Sequence, residues 1–129
     1  MNDLLRCNFS VCRARAQLYR TRDRDFADNK DVRTAAHQYA ARVNLGSRAD
    51  IQVANLSHGE QRRLEVAIAL ASDARPLLLD EPLAGLGPEE ASEMISLLKT
   101  LKGQQTIVLI EHDMDAVFTL ADRISVMVY

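Results

Sequence analysis

Two short apolar runs constrain this chain more than anything else in it. "LLLD" at residues 77–80 and "TIVLI" at residues 106–110 are each too short for a buried helix, and the second is rich in β-branched residues. Both read as strands buried on two faces. Between them lies a helix-period segment. "GLGPEE" opens it, with Pro88 suited to the first helical position and Glu89 and Glu90 suited to the positive end of the dipole. Met94, Ile95, Leu97, Leu98 and Leu101 give it an apolar side, and Gly103 ends it. A short helix over residues 114–120 and a third strand, "ISVMVY", complete a strand–helix–strand–helix–strand order. That order predicts an α/β fold with a parallel sheet covered by helices on both faces. In such sheets ligands bind beyond the carboxyl ends of the strands. Asp80 and Glu81 after the first strand, and Glu111 and His112 after the second, are therefore expected at one rim.

The N-terminal side is helical. A short helix is expected around residues 11–19, followed by a charged loop, "RTRDRDFADNKD". A firmer helix is predicted over residues 31–43, with Ala35, Ala36, Tyr39, Ala40 and Val43 along one side and Gly46 as the C-terminal cap. Next comes "LSHGEQRRLEVAIALAS", in which Ser57 and Glu60 have capping-box spacing. The helix predicted from it covers residues 58–71 and buries Leu64, Ala67, Ile68 and Ala71. Arg75-Pro76 breaks the chain before the first strand, which sets two regions, residues 1–75 and 76–129.

Composition excludes several classes of function. A net charge of −2 supports neither a nucleic-acid surface nor a trap for acidic substrates. Arg6, Arg13, Arg15, Arg20, Arg22 and Arg24 make the N-terminal stretch basic, but Asp3, Asp23 and Asp25 offset part of it, as in a solvated amphipathic segment. Cys7 and Cys12 have no second cysteine pair or nearby histidine to complete a zinc site, which fits a reduced, cytosolic setting. No apolar run approaches the roughly 18 residues of a membrane span, so any link to a membrane is expected through a partner.

Four motifs then fall in a specific order. "LSHGEQ" (residues 56–61) resembles the signature motif of ABC transporter nucleotide-binding domains, usually written LSGGQ. "LLLDEP" is similar to their Walker B strand with its following glutamate, "AGLG" (residues 84–87) stands at the D-loop position, and His112 in "LIEHD" is placed like the switch histidine. "LSHGEQRRLEVAIALA", "DEPLAGLGPEE" and "IEHDMDAVFTLADRISVMVY" look most like the ATP-binding subunits of branched-chain amino acid importers. The likeness is strong from about residue 55 to the last residue and loose before that. It implies a partial P-loop NTPase-like parallel sheet flanked by helices. Residues 1–75 would be the helical subdomain that carries the signature, and residues 76–129 the Walker B, D-loop and switch part of the core.

The resemblance also assigns roles. Ser57, His58, Gly59 and Glu60 would bind nucleotide, since a helix N-terminus offers N–H groups and partial positive charge to phosphate oxygens. Asp80 would hold Mg²⁺ through a water, Glu81 would polarise the attacking water, and His112 would contact the γ-phosphate. Ala84, Gly85, Leu86 and Gly87 would form the D-loop at a subunit interface. The implied cofactors are ATP and Mg²⁺. The implied partners are a second ATP-binding subunit, identical or not, membrane permease subunits and, indirectly, a periplasmic binding protein, with no nucleic acid. The chain would sit at the cytoplasmic face of the plasma membrane through the permeases.

Departures from the family pattern are informative. His58 stands where glycine is common and Glu60 where glutamine is common, both marks of the branched-chain importer group. Gly87 replaces the aspartate usual at the end of the D-loop, which removes an interface carboxylate. The chain has five glycines, the first at position 46, and no G-x-x-x-x-G-K-[ST] phosphate loop. It is accordingly expected to be the central-to-C-terminal part of a cassette, with weak ATP binding and negligible hydrolysis by itself. Two other functions share these motifs: a soluble ABC-type ATPase of DNA repair or chromosome organisation, and a non-catalytic truncated remnant. Sustained heptads would favour the first, and the sequence has none. The lack of an in-frame phosphate loop upstream would favour the second.

Overall fold

The computed structural model describes residues 30–72 and 76–128. The helix expected around residues 11–19, the arginine-rich stretch and both cysteines lie outside them. The chain divides into two compact units, one up to residue 74 and one from residue 75 onward.

The first unit contains helix α1 (Lys30–Arg42), two single 3₁₀ turns (Gly46–Arg48 and Val53–Asn55) and helix α2 (His58–Ala71). Helix α1 does not use Gly46 as its cap. Asn44 takes the left-handed conformation, with φ 61°. Its N–H donates to Ala41 C=O at 3.1 Å, and Leu45 N–H donates to Ala40 C=O at 2.8 Å. These paired bonds are a Schellman ending, and asparagine is the residue besides glycine that most readily serves it. The cap thus falls two residues early, and it places Val43 and Leu45 in the core.

Helix α2 begins and ends where the spacing predicts, but its buried side is rotated. Val66, Ala67 and Leu70 are buried, whereas Leu64, Ile68 and Ala71 are half-buried. These three, with Ala67 and with Ala40 of α1, line a cavity of about 200 Å³. The helix therefore carries a wider apolar face than its i, i+4 pattern suggested.

The second unit is a βαβα run: β1 (Leu77–Asp80), α3 (Pro88–Lys102), β2 (Ile107–Ile110) and α4 (Met114–Leu120). The strands pair in parallel, with Leu77 opposite Ile107 and Asp80 opposite Ile110. Met94, Leu97, Leu98 and Leu101 of α3 are buried, as are Ala116 and Leu120 of α4.

Two expectations fail in this unit. The sheet is not covered on both faces among the described residues. Leu77 and Leu79 are buried, but their neighbours on the opposite face, Leu78, Val108 and Ile110, are 63%, 44% and 45% exposed. Nor is residue stretch 124–128 a strand; it has no ladder bonds and its side chains are exposed. Apolar, β-branched composition gives a segment strand propensity, yet a strand exists only where an adjacent strand can take its hydrogen bonds.

Candidate functional site

The polar start of α2 is closed by its own side chains. Ser57 is the N-cap in extended conformation. Its Oγ accepts from Glu60 N–H at 3.2 Å, while Glu60 Oε2 accepts from Ser57 N–H at 2.8 Å. The reciprocal bonds complete the capping box predicted from the sequence. Arg48, from the first 3₁₀ turn, adds a second hold. Its Nη2 donates to Glu60 Oε2 at 3.2 Å. Its Nε lies 2.9 Å from Oε1, an ion-pair approach in which the N–H is not aimed along the line of a hydrogen bond. The Glu60 side chain is only 15% exposed.

Its carboxyl is held below the ordinary glutamate range, first by the Ser57 N–H and then by Arg48, with partial burial working in the opposite direction. Gln61 Nε2 donates to the carbonyls of Val53 and Leu56, at 3.3 and 3.1 Å, and so fixes the approach to the helix. His58 is exposed and Gly59 is buried. Arg48 and Gln61 went unassigned in the sequence. Nothing marks Arg48 among the other arginines, whereas Gln61 at least adjoins a capping box.

The other group of residues stands at the carboxyl rim of β1 and β2. Asp80 ends β1 on its exposed face, and its carboxylate has no hydrogen-bond or ion-pair partner among the described residues. Glu81 follows with φ 45°, a left-handed conformation that is uncommon for a side chain of its size. Its N–H extends the parallel ladder by donating to Ile110 C=O at 2.9 Å. The chain then turns sharply. Ala84 N–H donates to Glu81 C=O at 3.1 Å, Leu86 N–H to Leu83 C=O at 3.2 Å, and Gly85 has φ 75°. Gly87 is the N-cap of α3 and provides no side-chain cap.

This turn aims Glu81 at the segment after β2. Glu81 Oε1 lies 3.5 Å from His112 Nδ1, and the two side chains are 52% and 75% exposed. An exposed pair of this kind contributes little to stability. Residues that follow different strands converge here, as the rim rule requires. Glu111, between β2 and His112, was placed at the rim by sequence but given no role. Its Oε1 accepts from Leu83 N–H at 2.9 Å and its Oε2 from His112 N–H at 3.3 Å. Asp113 caps α4 by accepting from Ala116 N–H at 3.1 Å.

The expected site residues thus form two groups. Ser57, His58, Gly59 and Glu60 gather at one helix start in the first unit. Asp80, Glu81, the 84–87 turn and His112 share one rim in the second.

The parallel rim bearing Asp80, Glu81 and His112, and the capped "LSHGE" helix start, are the two arrangements that the ABC-type motif order leads one to expect in one chain. Residues 3–84 match the ABC transporter family, and the chain belongs to that family. Among its relatives is the high-affinity branched-chain amino acid transport ATP-binding protein LivG of Escherichia coli K12. The two are 43% identical over 94 residues, covering 71% of this chain and 37% of LivG. The corresponding protein BraF of Pseudomonas aeruginosa is 37% identical, with 87% of this chain and 44% of BraF covered. The ribose import ATP-binding protein RbsA of Hahella chejuensis is 39% identical, over 76% of this chain and 20% of RbsA. The chain therefore spans less than half the length of these relatives.

Among solved structures, an ABC transporter in an inward-facing conformation superposes with a TM-score of 0.66 at 28% identity, over 73% of this chain and 39% of its own. An ATP-binding cassette in its ADP conformation shares the fold, with a TM-score of 0.63 at 23% identity over 85% and 42% of the two chains. The fold is thus a partial P-loop NTPase fold. Among the described residues no helix is long and apolar enough to cross a membrane.

Proposed function

We propose that this chain is the signature and Walker B part of the ATP-hydrolysing subunit of an importer for branched-chain amino acids or related small solutes. One observation carries the catalytic half of that reading: Glu81 and His112 approach to 3.5 Å at the carboxyl rim of two parallel strands. In this reading Glu81 polarises the attacking water and His112 holds the γ-phosphate. Both act by positioning and charge, which is most of what phosphoryl transfer asks of a protein. Ser57, His58 and Gly59 turn the start of α2 toward the nucleotide. Glu60 serves there by fixing the helix start, since its carboxylate is committed to Ser57 and Arg48. Residues 84–87 form the D-loop. The region up to residue 75 acts as the helical subdomain, and the remainder belongs to the catalytic core.

The chemistry of Asp80 fits Mg²⁺. Among the described residues no group of three or more His, Cys, Asp or Glu could cage an ion. Mg²⁺ at nucleotide sites, however, is held by one or two carboxylates, waters and phosphates. An exposed, unpartnered Asp80 at the rim suits that arrangement, and the ion would neutralise charge developing on the phosphates. The solute class is supported by LivG and BraF, whose names specify branched-chain amino acid transport. Partners follow from the same reading: a second ATP-binding subunit, permease subunits that hold the pair at the inner membrane face, and a binding protein beyond them.

The experiment is Glu81→Gln in an assembled, ATP-hydrolysing protein that contains this chain. Steady-state turnover should fall about 10²–10⁴-fold, the range for losing a general base, with ATP affinity changed by less than about threefold. Turnover close to wild type would remove the role given to Glu81.

A further inference from the structure

We propose that Glu111 is a positioning residue: its carboxylate clamps the turn after β1 to the segment after β2 and thereby sets Glu81 against His112. The inference rests on the reading of Glu81 and His112 given above. Glu111 accepts from Leu83 N–H at 2.9 Å through Oε1 and from His112 N–H at 3.3 Å through Oε2. One side chain therefore holds backbone on both sides of the functional pair. The ladder ends at Glu81, whose N–H bonds Ile110 C=O. Immediately beyond it the backbone enters the left-handed region at Glu81 and turns through Leu83 to Gly85. A non-glycine residue in that conformation persists only where its surroundings over-determine it.

The ladder bond fixes the turn on one side and the local Ala84 N–H to Glu81 C=O bond closes it. The Glu111–Leu83 bond is a tie from this turn across to the end of β2 that depends on a side chain, so it can be removed by substitution. A charged acceptor makes it one of the stronger hydrogen bonds available to a neutral N–H. Both carboxylate oxygens of Glu111 accept from backbone N–H groups, so its effect on the site passes through the backbone.

The test uses the 129-residue chain and needs no nucleotide, so it can fail while the catalytic reading stands, and the reverse. Amide hydrogen exchange is followed by NMR in wild type, Glu111→Ala and Glu111→Gln. In Glu111→Ala the Leu83 amide should exchange about tenfold faster, the factor for losing a hydrogen bond to a charged acceptor, while Met94 and Leu98 amides stay within about twofold. The cross-peak between the His112 ring and the Glu81 side chain should weaken in the same variant. Glu111→Gln keeps an acceptor oxygen and should restore protection to within about threefold, with the Leu83 amide proton moving upfield as the acceptor loses its charge. Unchanged Leu83 exchange in Glu111→Ala would overturn the proposal, as would an equal rise throughout α3. If Glu111→Ala does not fold, Glu111→Gln decides, and an unmoved Leu83 resonance overturns the proposal.

Discussion

At the start of α2 the polar ties are local, whereas at the rim of β1 and β2 they are long-range. Ser57 and Glu60 cap each other three residues apart, and Gln61 reaches carbonyls five and eight residues back. Arg48, twelve residues away, adds a tie from outside the segment. At the rim Leu83 N–H bonds Glu111 across 28 residues, and Glu81 meets His112 across two strands that pair in register. The first arrangement forms with its helix. The second exists only once the sheet does. In the function proposed above, the nucleotide-binding edge is then pre-shaped by local capping, while the reacting pair depends on tertiary assembly.

That contrast can be broken at Glu60. Glu60→Ala removes the acceptor for Ser57 N–H and leaves Arg48 without its carboxylate. It should cost about 1–3 kcal/mol in urea unfolding. Arg48→Ala leaves the capping box whole and should cost under about 1 kcal/mol. Equal losses from the two variants would mean that the helix start is not locally closed. Acid sharpens the same point. The Glu60 carboxyl is lowered in the folded chain from an ordinary value of 4.5, so the stability it contributes is complete above that value. It is lost as pH falls through the lower folded value, where the bonded carboxylate takes up its proton. Unfolding free energy should therefore drop with acidification below about 4.5, and this part of the slope should vanish in Glu60→Gln.

The smallest effect comes from the start of α3, which lacks the side-chain cap that α2 has. Gly87 has φ −69° and ψ 165°, open to any residue, and a Cβ there would meet nothing within 4 Å. Gly87→Asp should stabilise the chain by a few tenths of a kcal/mol, read as a small rise in Tm.

The same division explains how much was legible in the sequence. The capping box, the bounds of α2 and the strand LLLD are encoded in contiguous patterns that the structure repeats, and the strand expected over residues 106–110 forms over Ile107–Ile110. The rim placement of Asp80, Glu81 and His112 followed from strand order alone. Long-range facts were not visible. Glu111 looked like one more acid, because its role depends on a partner amide far along the chain. Residues 124–128 have strand composition but pair with no strand among the described residues, where Leu78, Val108 and Ile110 also have no cover. Gly46 stands where propensity places a cap, whereas the chain turns at Asn44, two residues earlier, with Leu45 in the core.

The central claim is that Glu81 and His112 act as one unit, and a double-mutant cycle on steady-state ATP hydrolysis tests it most directly. In an assembled protein containing this chain, Glu81→Gln combined with His112→Ala should be slower than Glu81→Gln alone by no more than about threefold, as for residues that act together. Losses that multiply, as for independent sites, would contradict the account.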